Sequence, residues 1–166
     1  MDDKKSIDCF FLGGAILTNG FAWKNVYNFI DYYSKFGMKG HNGEDFVPAE
    51  SGKIQIFIPY EQWFYKCGYD DGWGYYIKTY DRNSKVMCLY AHLKNINHIN
   101  VWKIGQKDLR MPKSLMIGEM GGTGNVVGDH LHFGVYRVDS NMQVLDRDNG
   151  FFGAINPTIY LTGSMT

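Results

Sequence analysis

Two histidines stand two residues apart near the C-terminal end of the chain, in the segment GDHLHFGVY (128–136). If this segment is a β-strand, side chains at i and i+2 point to the same face, so His130 and His132 lie side by side. Leu131 and Phe133 then face the opposite way, into the core. On its own, such a pair is more often a surface pair or a hydrogen-bonded pair than a metal-binding or catalytic one.

Two further segments hold groups that could join this pair. In GHNGEDF (40–46), three residues, one of them a glycine, separate His41 from Asp45, and a tight loop can turn both side chains to one point. Imidazole and carboxylate are good zinc ligands, although a local hydrogen bond is the more frequent reason for such a pair. In YAHL (90–93), His92 follows an apolar strand. Three protein ligands from these segments would leave the fourth position of a tetrahedral zinc ion to water, as in catalytic sites.

The rest of the chain predicts a mostly β fold that would position these groups. Its apolar runs are short, rich in β-branched and aromatic residues, and separated by turn signals. The polar tip of TYDRNSKV (79–86) predicts an antiparallel hairpin, which places His92 just beyond a strand end. Residues 25–35 have apolar side chains at helical spacing, but we interpret them as a core-packing turn, and we interpret DRDNG (146–150) as a turn. The predicted strands are Phe10 to Leu17 at a sheet edge, Ile54 to Ile58, Trp63 to Cys67, Tyr75 to Tyr80, Val86 to Ala91, Leu115 to Ile117, Leu131 to Val138 and Gln143 to Leu145.

Composition restricts the class of protein. A chain of 166 residues with 45% hydrophobic and 20% charged residues can bury one core, and such a composition is not that of a disordered protein. Seventeen basic residues balance seventeen acidic ones, so the chain lacks the excess positive charge of nucleic-acid-binding proteins, and we expect no nucleic-acid partner.

The cysteines and the N-terminal apolar stretch carry no targeting or metal signal. Cys9, Cys67 and Cys88 are far apart and odd in number, so we expect free buried thiols and neither a disulfide framework nor a thiolate zinc site. The apolar stretch 9–17 is too short to span a bilayer, so we expect no membrane span. Its leader MDDKKSID contains more acidic than basic residues, which is not convincing as a signal peptide.

Taken in series, HNGED, YAHL and GTGNVVGDHLHF resemble the HxxxD motif, the single histidine and the G-x-TG-x-x-x-G-x-HLHF signature of the lysostaphin and LytM family of zinc endopeptidases. Members of this family cut peptide cross-bridges in bacterial peptidoglycan. The resemblance runs from about Phe21 to Leu161. It implies a mostly β, single-domain, lysostaphin-like fold, with an antiparallel sheet or sandwich, an open groove and few short helices. We expect residues 1–20 to form a lead-in strand and residues 21–166 to form the zinc metallopeptidase domain.

Carried over residue by residue, the resemblance implies that one zinc ion is held by His41, Asp45 and His132. His130 and His92 would then be the two catalytic histidines that do not bind the metal. Spacing does not decide which of them is the general base. One imidazole of the HLH pair would hold zinc while its neighbour on the same face addresses the substrate.

The glycine-rich approach to HLHF is typical of a loop that lines a narrow peptide groove. We therefore expect Gly122, Thr123 and Gly124 to line such a groove, with Trp73 and Tyr76 as candidates for its walls.

Two features depart from the family's pattern. Glu44 stands where the family more often has an aliphatic residue, and we expect its carboxylate to be solvated. The segment 95–114 is longer and more basic than the family's usual turn, and we interpret its His98 as a surface residue.

The segments FGMKGHNGEDF (36–46) and DNGFFGAINP (148–157) resemble phage-borne members of the family, which are tail-associated or endolysin modules. Phage tail or other virion proteins are therefore expected partners besides a peptidoglycan peptide, and the expected site of action is the cell wall, extracellular or periplasmic. An alternative is a catalytically inactive member that regulates other wall hydrolases. Decay normally removes ligands, however, and all five expected polar residues are present. A zinc enzyme with another substrate is a third reading.

Overall fold

Twelve β-strands lie in the part of the chain that our computed structural model describes, which comprises residues 14–27, 30–97 and 108–161. The helical elements of this part are a 3₁₀ helix, Tyr32–Phe36, and a short helix α1, Thr158–Leu161. The mostly β fold predicted from the sequence is confirmed. The strands are β1 Ala15–Asn19, β2 Val26–Tyr27, β3 Ile30–Asp31, β4 Glu44–Pro48, β5 Gln55–Phe57, β6 Gln62–Asp70, β7 Gly74–Asp81, β8 Val86–Leu93, β9 Arg110–Met111, β10 Met116–Glu119, β11 Leu131–Arg137 and β12 Ala154–Ile155.

One eight-stranded antiparallel sheet carries the fold. Its strand order is β1-β4-β11-β8-β7-β6-β9, and β12 pairs with β11 beside this path. Two-stranded sheets are formed by β5 with β10 and by β2 with β3. Because β11 lies between β4 and β8, the sheet brings the HNGED and YAHL segments to either side of the HLH segment.

The side chains of β11 alternate between two apolar layers. Leu131, Phe133 and Val135 are fully buried in the main core on one face. On the other face, Tyr136 packs in a second cluster that also includes Leu89 of β8. Burying a side chain such as that of Phe133 contributes about 1.5–3 kcal/mol, so the two layers fix which face of β11 carries His132.

A bulge in β8 changes the face on which His92 lies. Between the pairs that β7 forms with Tyr90 and with Leu93, two residues of β8 oppose a single residue of β7. His92 is the second of these two and has a φ of 62°, in the left-handed region. Tyr90 and Leu93 both pack in the main core, so the extra residue turns His92 to the opposite face. The prediction that His92 lies just beyond a strand end was therefore wrong, because β8 continues to Leu93.

Most of the other predicted strands are confirmed with shifted ends, as is the hairpin between β7 and β8. The predicted strand Gln143 to Leu145 was wrong, because Val144 forms only an isolated bridge with Val138. The sequence pattern did not predict β4, since EDFVP begins with two acidic residues that hide its strand signal. The stretch 25–35, which we interpreted as a core-packing turn, contains β2, β3 and most of the 3₁₀ helix, and its described residues contain no α-helix.

Several expectations concern the edges of the described region. The predicted edge strand appears as β1, whose described residues pair with β4; residues 10–13 lie outside the described residues, as do Cys9 and His98. Cys67 and Cys88 are free and buried, as predicted. DRDNG lies in a turn, as predicted. None of the helices in the described part of the chain has the length and apolar composition that a membrane crossing requires.

A buried polar network ties β6, β7 and β8 together on the core side of the sheet. Gln62 Oε1 accepts hydrogen bonds from the hydroxyls of Thr79, at 2.5 Å, and Tyr90, at 2.9 Å. All three side chains are almost completely excluded from solvent. Such groups stabilise a fold only while each keeps its partner.

Replacing Gln62 with leucine is expected to lower the free energy of unfolding by about 1–3 kcal/mol, because both hydroxyls lose this buried acceptor. Urea unfolding in the presence of a chelator measures the change. The matched variant Gln143→Leu removes an exposed amide and should change stability by less than about 0.5 kcal/mol. Equal losses in the two variants would contradict the assigned role of the network.

Candidate metal centre and active site

Three side chains converge where β4 runs beside the start of β11. His41 Nε2 lies 3.2 Å from Asp45 Oδ1 and 3.1 Å from His132 Nδ1, and His132 Nδ1 lies 2.9 Å from Asp45 Oδ1. These atoms form a nearly equilateral triangle. A tetrahedral zinc ion with ligands at 2.0–2.2 Å needs a spacing of roughly 3.3 Å between its ligand atoms. The donor set of two imidazoles and one carboxylate, and its spacing, therefore fit zinc.

The register of the sheet produces two corners of this triangle. His132 and Asp45 are direct partners across the antiparallel pair of β11 and β4. Side chains opposite each other in such a pair have Cβ atoms about 4.5–5.5 Å apart. A shift of one residue would turn His132 or Asp45 to the core face, so the site depends on this register.

The third corner is held by the backbone on either side of the 3₁₀ helix. Asp31 caps the start of this helix, and Gly37, with a φ of 73°, ends it. The chain then returns so that the His41 amide donates to the Trp23 carbonyl at 2.9 Å, while the His41 carbonyl accepts from the Ala22 amide at 2.8 Å. These two bonds fix the backbone of His41.

Gly43 permits the close approach of the HNGED loop to β11. A Cβ atom at this position would lie 2.5 Å from His132 Cε1 and 2.7 Å from the carbonyl oxygen of Phe133. Contacts this short are not tolerated, so any larger residue must displace the His132 ring or the strand.

Asp45 has a further contact that the sequence motifs do not predict. Asn19 on β1 donates to Asp45 Oδ2 at 3.3 Å and to the Tyr33 hydroxyl at 2.5 Å, and the Tyr33 ring lies 5.5 Å from that of His41. Asn19 thus holds the carboxylate from behind, as outer-shell groups do at metal sites. Neither Asn19 nor Tyr33 belongs to a motif, and only the pairing of β1 with β4 brings them here.

The electrostatics keep the carboxylate charged and an imidazole neutral. Burial opposes the ionisation of Asp45, but hydrogen bonds with His132 and His41 outweigh it and hold its pKa below the ordinary value. Burial lowers the pKa of His132, against the opposing influence of Asp45. Both states are those in which the groups bind metals. Among the described residues, the outer ring nitrogens, His41 Nδ1 and His132 Nε2, are buried and have no hydrogen-bond partner.

His92 and His130 lie beside the triangle, with their ring centroids 4.7 Å apart. His92 Nδ1 is 2.9 Å from the Thr123 carbonyl, and His130 Nδ1 is 3.2 Å from the Gly128 carbonyl. A carbonyl only accepts, so each Nδ1 carries a proton, and in a neutral imidazole Nε2 is left as an acceptor. His130 Nε2 lies 4.0 Å from Asp45 Oδ1.

Thr123 positions His92 through its backbone. Its hydroxyl donates to the Leu93 carbonyl at 2.7 Å and accepts from the Tyr75 amide at 2.9 Å, which anchors the glycine-rich loop to β7 and β8. Its carbonyl is then free to orient His92. Burial lowers the pKa of His92 to about 4, so this imidazole is neutral at pH 7.

These groups line an open cleft of about 440 Å³. Trp73 forms part of its wall, with its ring centroid 4.8 Å from that of His132. Tyr76, named from the sequence as a wall candidate, lies outside this cleft in the cluster with Leu89 and Tyr136. The other cleft residues are Asn19, Asn25, Tyr32, Tyr33, Phe36, Met38, His41, Asn42, Asp45, Gly72, His92, Asn125, Val126, Val127, His130, His132 and Phe152.

Gly122, Thr123 and Gly124, which were predicted to line the groove, are not among the residues that line this cleft, and the two glycines instead permit close approaches within the loop. Gly124 has a φ of 85°, and a Cβ atom there would lie 2.3 Å from the Gly74 amide nitrogen. A Cβ atom on Gly122 would lie 2.6 Å from Asp129 Oδ1. Gly122 and Thr123 border a separate small cavity behind the loop. Together these close approaches fix the loop that holds Thr123.

Glu44 is not solvated, contrary to the expectation from the sequence. It is 4% exposed, and its Oε1 accepts a hydrogen bond from the Thr158 hydroxyl at 2.7 Å. Alternation along β4 places Glu44 on the same face as the fully buried Phe46, opposite to Asp45. Its carboxylate connects β4 to α1 and does not line the cleft.

Residues 39–145 match the sequence model of Peptidase family M23, and this range is more than half of the chain. The chain belongs to this peptidase family. No curated protein matches the sequence.

The fold is similar to solved structures at low sequence identity. LytU matches with a TM-score of 0.61 and 19% identity, over 96% of this chain and 87% of that chain. The catalytic domain of the antimicrobial peptidase lysostaphin from Staphylococcus simulans matches with a TM-score of 0.57 and 18% identity, over 87% and 89%. A zinc containing peptidase from Vibrio cholerae matches with a TM-score of 0.55 and 21% identity, over 80% of this chain but only 37% of that longer chain. These matches confirm the predicted lysostaphin-like fold.

Replacing Gly43 with alanine is expected to weaken zinc binding at least tenfold without removing a ligand, because the added methyl group displaces the His132 ring. Competition with a chromogenic chelator measures the affinity. Gly118→Ala is the matched control, since its Cβ atom would meet no atom closer than 3.5 Å. Wild-type affinity in the Gly43 variant would contradict the assigned position of His132.

Proposed function

We propose that this chain is a zinc-dependent endopeptidase that hydrolyses peptide cross-bridges of bacterial peptidoglycan. The observation that carries the proposal is the pair of imidazoles, His92 and His130, whose acceptor nitrogens lie beside a three-ligand triangle in an open cleft. Membership of a peptidase family supports hydrolysis of a peptide bond. The resemblance of HNGED, YAHL and HLHF to wall-lytic enzymes supports the substrate class.

His41 Nε2, Asp45 Oδ1 and His132 Nδ1 would hold the zinc ion. When bound, zinc polarises the scissile carbonyl group and lowers the pKa of a coordinated water to about 7. The carboxylate of Asp45 would offset part of the metal's charge, and Asn19 donates a hydrogen bond to its second oxygen, Oδ2.

His130 is the general base in this proposal. In the neutral imidazole its Nε2 is an acceptor, and it lies 4.0 Å from Asp45 Oδ1, so it would face a water molecule held beside the proposed zinc ligands. This Nε2 would accept a proton from the attacking water and would donate it to the nitrogen of the leaving amine. His92, which burial keeps neutral, offers its own Nε2 as an acceptor that orients the same water.

The proposed site of action is the cell wall, in an extracellular or periplasmic location. Association with a phage is also proposed, and it rests on the resemblance of FGMKGHNGEDF and DNGFFGAINP to phage-borne members.

Purified protein is expected to clear a peptidoglycan suspension, to lose this activity in a chelator and to regain it with added zinc. His130→Ala and His92→Ala should each lower the rate by about 10²–10⁴-fold, since each removes a group that handles a proton. Both variants should still bind about one zinc ion per chain by plasma mass spectrometry, because neither removes a ligand.

Asp45→Ala and His132→Ala should lose both the metal and the activity. His98→Ala removes the one histidine that the resemblance leaves outside the site and should behave as wild type. Zinc binding without lysis in the wild type would contradict the enzymatic function and favour an inactive regulator. Absence of zinc from the wild type would contradict the mechanism.

A further inference from the structure

A second cavity of about 260 Å³ continues from the cleft along the face of the main sheet. The two cavities share Asn42, Trp73 and Phe152 as lining residues, so they are neighbours. Trp73 also stacks near the His132 ring. A peptide bound across the candidate metal centre can therefore extend into this second cavity.

The charged residues that line this cavity are both cations, Lys78 on β7 and Arg147 in the turn before β12. In the described ranges of the chain, neither forms an ion pair with a carboxylate. Asp146 and Asp148 flank Arg147 in sequence, but neither lines the cavity. A chain with no net charge thus concentrates two unpaired positive groups at one end of its cleft.

Lys78 is a partly buried cation. Its Nζ lies 5.5 Å from the centroid of the Tyr76 ring, which is a cation–π contact. Burial lowers the pKa of Lys78, and repulsion from Lys66 and Arg147 adds to this effect, while Asp70 opposes it. A bound anion would offset the energetic cost of burying this positive charge and the repulsion between the cations.

The rest of the lining suits a peptide and does not favour a free small ion. Met87, Leu89 and Val144 provide apolar surface, and Tyr136 lies among them. Pockets of this kind bind an extended ligand through apolar contacts and fix its orientation with a few polar groups. Arginine and lysine are the side chains best suited to a carboxylate in such a place.

We propose that Lys78 and Arg147 form a subsite for a free carboxylate of the substrate peptide, which makes them specificity-determining residues. This inference rests on the proposed function and narrows its substrate class. A glycyl-glycine bridge has no side-chain carboxylate, whereas stem peptides with glutamate and diaminopimelate have several. The preferred substrate is therefore a cross-link whose stem peptide carries an unamidated carboxylate near the scissile bond.

The test compares two soluble stem peptides, L-alanyl-γ-D-glutamyl-diaminopimelyl-D-alanine and the same peptide with its glutamate and diaminopimelate carboxyls amidated. Titration calorimetry at low ionic strength is expected to show that the zinc-loaded wild type binds the acid roughly tenfold more tightly than the amide. Lys78→Met and Arg147→Met should each remove most of this preference and leave affinity for the amide unchanged. Methionine keeps an unbranched side chain and removes the positive charge.

Lys113→Met is the matched control, because Lys113 is exposed and lines neither cavity, and it should keep the wild-type preference. Equal affinity of the wild type for the two peptides would contradict the proposed subsite. A preference for the acid that survives in both Lys78→Met and Arg147→Met would also contradict it. Hydrolysis of a cross-linked peptide is measured separately. If the wild type prefers the acid but does not hydrolyse the cross-linked peptide, the subsite is supported and the proposed enzymatic function is contradicted. If it hydrolyses the peptide without preferring the acid, the enzymatic function is supported and the subsite is contradicted.

Discussion

The antiparallel pairing of β11 with β4 is the constraint on which the rest of the site depends. It sets His132 directly opposite Asp45, while the alternate residues Leu131 and Phe133 are buried in the main core. Because a slip of one residue would reverse every side chain, the core burial that stabilises the domain also fixes the proposed metal ligands. Gly43 then allows the HNGED loop to approach close enough for His41 to complete the triangle.

His92, a proposed catalytic residue, is positioned by a departure from regular β structure. The bulge in β8 turns His92 out of the core and gives it a positive φ, which is uncommon for residues other than glycine. That conformation is held by the hydrogen bonds of the neighbouring loops: the Trp73 carbonyl accepts from the His92 amide, and the Thr123 carbonyl accepts from its ring. Rigid neighbours of this kind hold an imidazole in one tautomer and one orientation, as proton transfer requires.

The unpaired positive charges lie at one end of the cleft. The unpaired cations Lys78 and Arg147 line the cavity that adjoins the proposed metal centre, whose single carboxylate, Asp45, would be neutralised by the zinc ion. Glu44, the acid nearest to Asp45 in sequence, is turned to the core face and bound by Thr158, so it adds no negative charge to the cleft. A peptide with a carboxylate on one side of the scissile bond would be oriented by such an arrangement, whereas an uncharged peptide would not.

The sequence by itself determined the β character of the domain, the pairing of β7 with β8 and the segments that meet at the site. These features depend on local patterns, namely alternation, turn residues and short motifs of histidine and aspartate. The tertiary structure alone decided the face of His92, the burial of Glu44 and the contacts of Asn19 with Asp45. Each of these results from pairing between residues far apart in the chain: a register shift between strands, a side of β4 that is covered by α1, and the addition of β1 at the sheet edge. No short-range pattern records such pairings, because the energy that selects them comes from packing of the whole sheet.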